Sequence, residues 1–246
     1  MATELHFSRF EFKYIMHAEL RNSFEGELQY FMGLDPHVSA GRRQKYFVRS
    51  LYFDDDALTF YYEKTDGVMI RKKYRIRTYT DDREEEAAIF LEMKGRYNSL
   101  VYKHRTPLPR SIIKSLDEGG SGLVTECLRL GKDPLVSGFL FDAIKMRLKP
   151  RVLIDYARRP YVSRFAPDFR VTFDDSLESI VTGRLFGSQT DRRRLLLPGY
   201  SIVEVKFKRH IPSWFHRLIQ SYELKRLSIS KYCKGMERTG LADNLE

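Results

Sequence analysis

Apolar positions, mostly in alternation with polar or charged ones, mark eight stretches of the chain: 9–15 (RFEFKYI), 46–53 (YFVRSLYF), 70–79 (IRKKYRIRTY), 88–95 (AIFLEMKG), 100–106 (LVYKHRT), 150–158 (PRVLIDYAR), 169–175 (FRVTFDD) and 201–208 (SIVEVKFK). A period near two, in segments rich in β-branched and aromatic residues, predicts strands. Between them the pattern predicts helices at 17–32, at 56–64, at about 109–117, 122–130 and 134–146, and over 212–235 as two helices. Asp55 or Asp56 would cap the second of these, with Gly67 just past its end, and Pro212 would open the last region. Residues 81–87, 117–122 and 183–199, the last containing Arg192, Arg193 and Arg194, read as surface loops. No internal repeat or low-complexity linker interrupts the series, so 1–246 is expected to be one domain.

Side chains at i and i+2 share one face of a strand. One face of 70–79 therefore carries Arg71, Lys73, Arg75 and Arg77, and the other Ile70, Tyr74 and Ile76. The same division sets Glu92, Lys94 and Arg96 against Leu91 and Met93, and Lys103 and Arg105 against Tyr102 and His104. Arg170, Thr172 and Asp174 oppose Val171 and Phe173; Glu204 and Lys206 oppose Val203 and Val205; Arg9, Glu11 and Lys13 oppose Phe10, Phe12 and Tyr14. Two unit charges at this spacing repel by roughly 2 kcal/mol at an effective permittivity near 20. Rows of them need an anionic counterpart.

Two architectures satisfy the pattern. One is an open sheet with a basic face. The other is α+β, a closed antiparallel β-barrel of about eight strands forming a basic tunnel, with helices on its apolar exterior. The interleaved carboxylates Glu11, Glu92, Asp174 and Glu204 favour the tunnel. A nucleic-acid face has little use for glutamates among its lysines, so no nucleic-acid partner is expected. A polyphosphate site does use them, because a hard divalent cation needs carboxylate oxygens. Residues 209–246 would form a C-terminal helical segment packed on or capping the tunnel.

Charge agrees with a polyanionic ligand: 43 Lys and Arg stand against 33 Asp and Glu, a net +10. The two cysteines, Cys127 and Cys233, form no CxxC or Cys/His cluster, which argues against zinc and suits a reducing cytoplasm. The N-terminal residues lack the apolar segment of a signal peptide, and no apolar run is long enough to span a membrane. The expected location is therefore cytoplasmic, with a membrane-protein partner left open. No G-x-x-x-x-G-K-[ST] occurs, which excludes a P-loop as the phosphate cradle.

In order along the chain, VRSLYFDDDALTFYYEK, RKKYRIRTY, FLEMKGRYNSLVYKHR, ARRPYVSRF, VTFDD, SIVEVKFKRHIPSWF and SISKYCKG resemble the VTC domain, the polyphosphate polymerase domain of the triphosphate tunnel superfamily, over roughly 7–236. The resemblance implies a tunnel whose inward cations grip a chain of phosphates. It implies an ATP-dependent polyphosphate polymerase, assisted by Mn2+ or Mg2+, that passes the terminal phosphoryl of ATP to a growing chain. It also implies residue roles. Lys13, Arg75, Arg77, Lys94, Lys103, Arg105, Arg164, Lys206 and Lys231 would bind phosphate; Arg75, Arg77, Lys94 and Lys206 would be catalytic; Glu204 would hold the metal, helped by Glu92 or Glu11. The chain departs from the family at two places. Arg9 stands where the superfamily has a first glutamate, and Ser228 where eukaryotic members have a lysine. Triphosphate hydrolysis in the same tunnel, or polyphosphate binding without turnover, would use the same residues.

Overall fold

The structure is a computed structural model and describes residues 10–36, 38, 44–98, 100–118, 122–131, 133–188 and 190–243. Its strands are β1 (Phe10–His17), β2 (Met32–Leu34), β3 (Tyr46–Asp54), β4 (Ile70–Thr78), β5 (Ile89–Tyr97), β6 (Leu100–Leu108), β7 (Lys149–Ser163), β8 (Arg170–Val181), β9 (Arg193–Leu195) and β10 (Tyr200–Phe207). Its helices are α1 (Ala18–Leu28), α2 (Thr59–Thr65), α3 (Ile112–Asp117), α4 (Leu123–Arg129), α5 (Pro134–Met146), α6 (Ser213–Ser221) and α7 (Lys231–Thr239). Every alternating stretch is a strand. The two short strands that alternation missed are only three residues long; β9 lies inside the expected loop 183–199. None of the helices is long and apolar enough to cross a membrane, among the described residues.

The main sheet is antiparallel, in the order β1-β10-β8-β7-β3-β4-β5-β6, with β2 added to β7 and β9 to β8. It curls strongly. Glu11 on β1 and Lys94 on β5 belong to opposite ends of that order, yet their side chains meet at 3.0 Å. Irregular register between β7 and β8 at Asp155 and Ala157 contributes, because a bulge bends its strand and increases the local twist.

Closure into the expected barrel is not seen among the described residues: β1 and β6 are not paired there, and the strand order is an open path. The C-terminal segment takes the place of the missing ladder. Tyr14 forms a bridge with Arg226, and the Leu227 amide donates to the Lys13 carbonyl at 2.8 Å. An edge strand needs its free backbone groups satisfied, and the segment before α7 does this for β1.

The convex face is apolar and covered. Phe24 and Leu28 of α1 and Phe215 and Leu218 of α6 pack on Val171, Phe173, Val203 and Val205. On the other half, Ile112, Leu116 and Phe139 of α3 and α5 join Leu51, Ile76, Leu91 and Leu153 in a second core. Asp133 starts α5 by accepting the Leu135 and Val136 amides, with Pro134 as the first helical residue.

Helix α7 lies on the concave face. Ser230 caps it by accepting the Cys233 amide at 3.3 Å, and Gly240 ends it at φ 73°. Tyr232 stacks on Tyr52 at 5.3 Å, and Gly235 sits against Ile154 so closely that an added Cβ would fall 2.9 Å from its Cδ1. The helix fills one end of the concavity with apolar side chains and leaves the rest to charged ones.

Candidate functional site

Strand register brings the concave-face cations together. Tyr52 pairs with Arg75, Arg75 with Glu92, and Glu92 with Arg105 across β3, β4, β5 and β6. One row further, Lys73 pairs with Lys94 and Lys94 with Lys103. On the other flank Glu11 pairs with Lys206, Lys13 with Glu204, and Arg158 with Asp174.

Two carboxylates organise these groups. Glu92 is 1% exposed, so its charge must be met by protein. Arg75 donates to one of its oxygens from Nε at 2.8 Å and Nη2 at 2.6 Å; Lys103 holds the other at 2.6 Å. Arg105 lies at 3.5 Å and Arg77 at 3.7 Å. Burial would raise the Glu92 carboxyl, but Arg75, Arg77 and Lys103 hold it far below the usual carboxylate range. Glu204 is the second centre. Lys231 reaches it at 2.7 Å, Arg158 at 3.0 Å, Lys206 at 3.4 Å and Lys13 at 3.7 Å. Burial opposes its charge too, and Lys231, Arg158, Lys13 and Lys206 keep it well below the ordinary value. Arg158 forks onto both oxygens of Asp174 at 2.6 and 2.7 Å, the strong bidentate geometry of guanidinium with carboxylate. Glu11 joins Lys94 at 3.0 Å to Lys13 at 3.5 Å.

The cations are thus held in place by carboxylates they outnumber. Burial decides which remain fully charged. It brings Lys103 down to about 7, with Arg75 and Arg77 adding to the effect and Glu92 resisting it. It brings Lys73 and Lys206 down to about 8. Burial would raise the Tyr52 phenol, but Arg75, Arg77 and Lys73 pull it down to about 8.

A pH prediction follows from these directions. Each folded value lies below the unfolded one, so the unfolded chain holds more protons as pH rises from about 7 towards the unfolded lysine value of about 10.4. Stability of the ligand-free protein therefore increases across that window. Affinity for a polyanion falls over the same window, because neutral lysines and a phenolate hold phosphate poorly. A bound polyanion restores the charges, so binding at pH 8 takes up protons. Titration calorimetry with tripolyphosphate in buffers of different ionisation heat, alongside thermal melts at pH 7 and 9.5, reads all three; proton release on binding would contradict them.

At one end the concavity opens into two adjoining cavities of about 130 and 550 Å³, which share Asp35, Tyr46, Pro160 and Arg170. The smaller is also lined by Arg158 and Lys206, the larger by Tyr79 and Arg105. The Arg105 guanidinium lies over the Phe90 ring at 3.3 Å and donates to the Tyr79 hydroxyl at 3.0 Å.

Lys13, Arg75, Arg77, Lys94, Lys103, Arg105, Lys206 and Lys231 all meet in this concavity. Arg164 does not: it lies past the end of β7, exposed in the turn towards β8. The arginine of this strand that reaches the concavity is Arg158, on Asp174 and Glu204. Arg9 lies outside the described residues. Glu11, Glu92 and Glu204 do not form a metal cage. Among the described residues no three His, Cys, Asp or Glu side chains are grouped to hold an ion, and lysine or arginine groups occupy the oxygens of each glutamate. The chain's own donors do not fit a resident metal.

Sequence reasoning missed Arg158, Lys73, Tyr52 and Tyr156 as site residues. Arg158 shares its strand face with Val152 and Ile154, so alternation places it among core residues. Tyr52 accepts from Arg75 at 2.8 Å and Tyr156 from Arg77 at 3.1 Å. Their hydroxyls orient the arginines, and nothing in a tyrosine's sequence position distinguishes that role from core packing.

The family model described as the VTC domain matches residues 8–239. No curated protein matches the chain. Among solved structures, it is similar to a candidate adenylate cyclase from Bacillus halodurans at 15% identity and TM-score 0.49, covering 91% of this chain and 95% of that one. It is also similar to the PH1819 protein from Pyrococcus horikoshii OT3, at 9% identity and TM-score 0.44, covering 91% and 96%. A mimivirus capping enzyme triphosphatase aligns at 9% identity and TM-score 0.32, covering 87% and 89%.

Proposed function

The chain belongs to the VTC domain family, and from that premise we propose that it binds a condensed phosphate chain in its basic concavity and transfers the terminal phosphoryl group of ATP to that chain. The observation that carries this reading is the set of buried and half-buried cations gathered around the buried carboxylates Glu92 and Glu204. Such groups are already partly desolvated and are oriented, so little reorganisation is needed when phosphate arrives.

Phosphoryl transfer asks for positioning and charge neutralisation more than for covalent chemistry from protein. A terminal oxygen of the acceptor chain forms the new bond to the γ-phosphorus of ATP. The bond from that phosphorus to the β–γ bridging oxygen breaks, and ADP leaves with the oxygen. Arg75 and Arg77 fork onto the phosphoryl in flight. Lys94 and Lys206 neutralise charge on the flanking phosphates, and Lys13, Lys103, Arg105 and Lys231 hold the remainder of the chain. A divalent ion, manganese or magnesium, arrives as part of the ATP complex and belongs to the substrate.

Incubation with ATP and manganese followed by gel staining for polyphosphate is expected to show a product ladder that lengthens with time. Release of inorganic phosphate from tripolyphosphate without any ladder would replace this reading with hydrolysis. Tight tripolyphosphate binding with neither outcome would reduce it to a binding module.

A further inference from the structure

The concave-face cations of β4 and β5 continue beyond the rows described above. Arg71 pairs with Arg96 across these strands, one row past Lys73 and Lys94. Two guanidiniums placed directly opposite each other are destabilising. Elsewhere on this face such crowding is offset by Glu92, Glu204, Glu11 or Asp174. Here it is not: among the described residues neither Arg71 nor Arg96 makes an ion pair. Arg71 donates to the Val68 carbonyl, and Arg96 donates from Nε to the Asn98 carbonyl at 2.6 Å. Each is anchored by the backbone of its own turn and half-buried, with the remaining nitrogens uncommitted. Lys73, the adjacent cation on β4, likewise contacts the Ser230 hydroxyl at 3.2 Å and, among the described residues, no carboxylate. Burial and the facing Arg96 guanidinium lower the Arg71 value, which Glu63 only partly offsets. This end of the face has a surplus of positive charge that the protein itself only partly neutralises.

We propose that Arg71 and Arg96 form a distal phosphate site that holds polyphosphate chains longer than triphosphate where they extend past Lys73, Lys94 and Lys103. The inference rests on the phosphate-binding reading above and adds chain length to it. Two residues along a strand advance roughly 6.7 Å, so consecutive rows lie close enough to share one continuous chain of phosphates. Tripolyphosphate, held between Glu92 and Glu204, is too short to need the additional row. Long chains gain contacts to two further guanidiniums.

The test compares tripolyphosphate with long-chain polyphosphate, by titration calorimetry, on the full chain and on Arg71→Gln/Arg96→Gln. A second double variant, Arg192→Gln/Arg194→Gln, removes the same charge from the exposed residues around β9. The first variant is expected to lose about tenfold in long-chain affinity, or about 1.4 kcal/mol, and to keep its tripolyphosphate affinity, which also reports an intact fold. The second is expected to change neither. Unchanged long-chain affinity in Arg71→Gln/Arg96→Gln overturns the proposal, as does an equal loss in both variants, which would mark a general charge effect. Should the first variant fail to fold, Arg71→Lys/Arg96→Lys is read in its place: it keeps the charge but not the fork, so a smaller long-chain loss supports the site and none overturns it. Unchanged polyphosphate affinity with weaker binding to phosphatidylserine vesicles would assign the pair to lipid headgroups and also overturn it. If the wild-type chain binds neither phosphate ligand, the functional reading fails first and the distal site with it.

Discussion

Replacing Arg75 with alanine is expected to weaken tripolyphosphate binding at least tenfold, and Arg77→Ala to do the same. Arg75 is half-buried among Glu92, Tyr52 and Lys103, and Nε, Nη1 and Nη2 all have acceptors in the ligand-free protein. Phosphate would compete for a guanidinium already oriented, so its loss removes at least one bidentate contact. Hydrogen bonds to charged groups contribute about 1.5–3 kcal/mol each, which is a factor of ten or more in affinity. The fold should survive, because Glu92 keeps Lys103 at 2.6 Å and Arg105 at 3.5 Å. Arg75→Lys retains charge without the planar fork and should fall between wild type and alanine. Calorimetry at fixed pH and salt checks this; unchanged affinity in both alanine variants would remove the concave face as the phosphate site.

The second large effect is on stability. Arg158 is the only arginine touching both Asp174 and Glu204 among the described residues, and Asp174 is 0% exposed. Arg158→Ala leaves Asp174 with Lys231, which Glu204 shares, while Lys206 and Lys13 stay on Glu204. Removing one partner of a buried ion pair costs about 3–5 kcal/mol, which corresponds to a fall in melting temperature on the order of 10 °C for a chain of this size. Arg158 and Lys231 hold the Asp174 and Glu204 carboxyls below their ordinary values against the effect of burial. Their stabilising contribution is therefore present above the unfolded carboxylate values near 4 and is lost as pH falls through the folded ones. The variant should recover part of its deficit when Asp174→Asn is added, because the uncompensated charge then disappears. A melting temperature within 2 °C of wild type, for which ~1 kcal/mol would suffice, would show that the cluster relaxes into solvent instead.

Both effects concern residues with different visibility in sequence. Arg75 and Arg77 were plain, because in 70–78 every second residue from Arg71 to Arg77 is cationic and every intervening one apolar or aromatic but for Lys72 and Thr78. Arg158 was hidden on β7, which has strands on both sides and apolar groups on both faces, so charge does not mark a direction there.

Alternation by itself determined the eight main strands and, on every one of them whose two faces differ in polarity, which cations and carboxylates share a face, because side-chain direction in a strand depends only on parity; β7, with apolar groups on both faces, was the exception. The pairing of those charges into centres at Glu92 and Glu204, and the withdrawal of Arg164 from them, depended on register and on where β7 ends. The open order of the sheet among the described residues was likewise a tertiary outcome: the chain from Arg226 to α7 occupies the edge of β1 and the floor of the concavity, and competition between two segments for one edge leaves no mark in the local pattern of either.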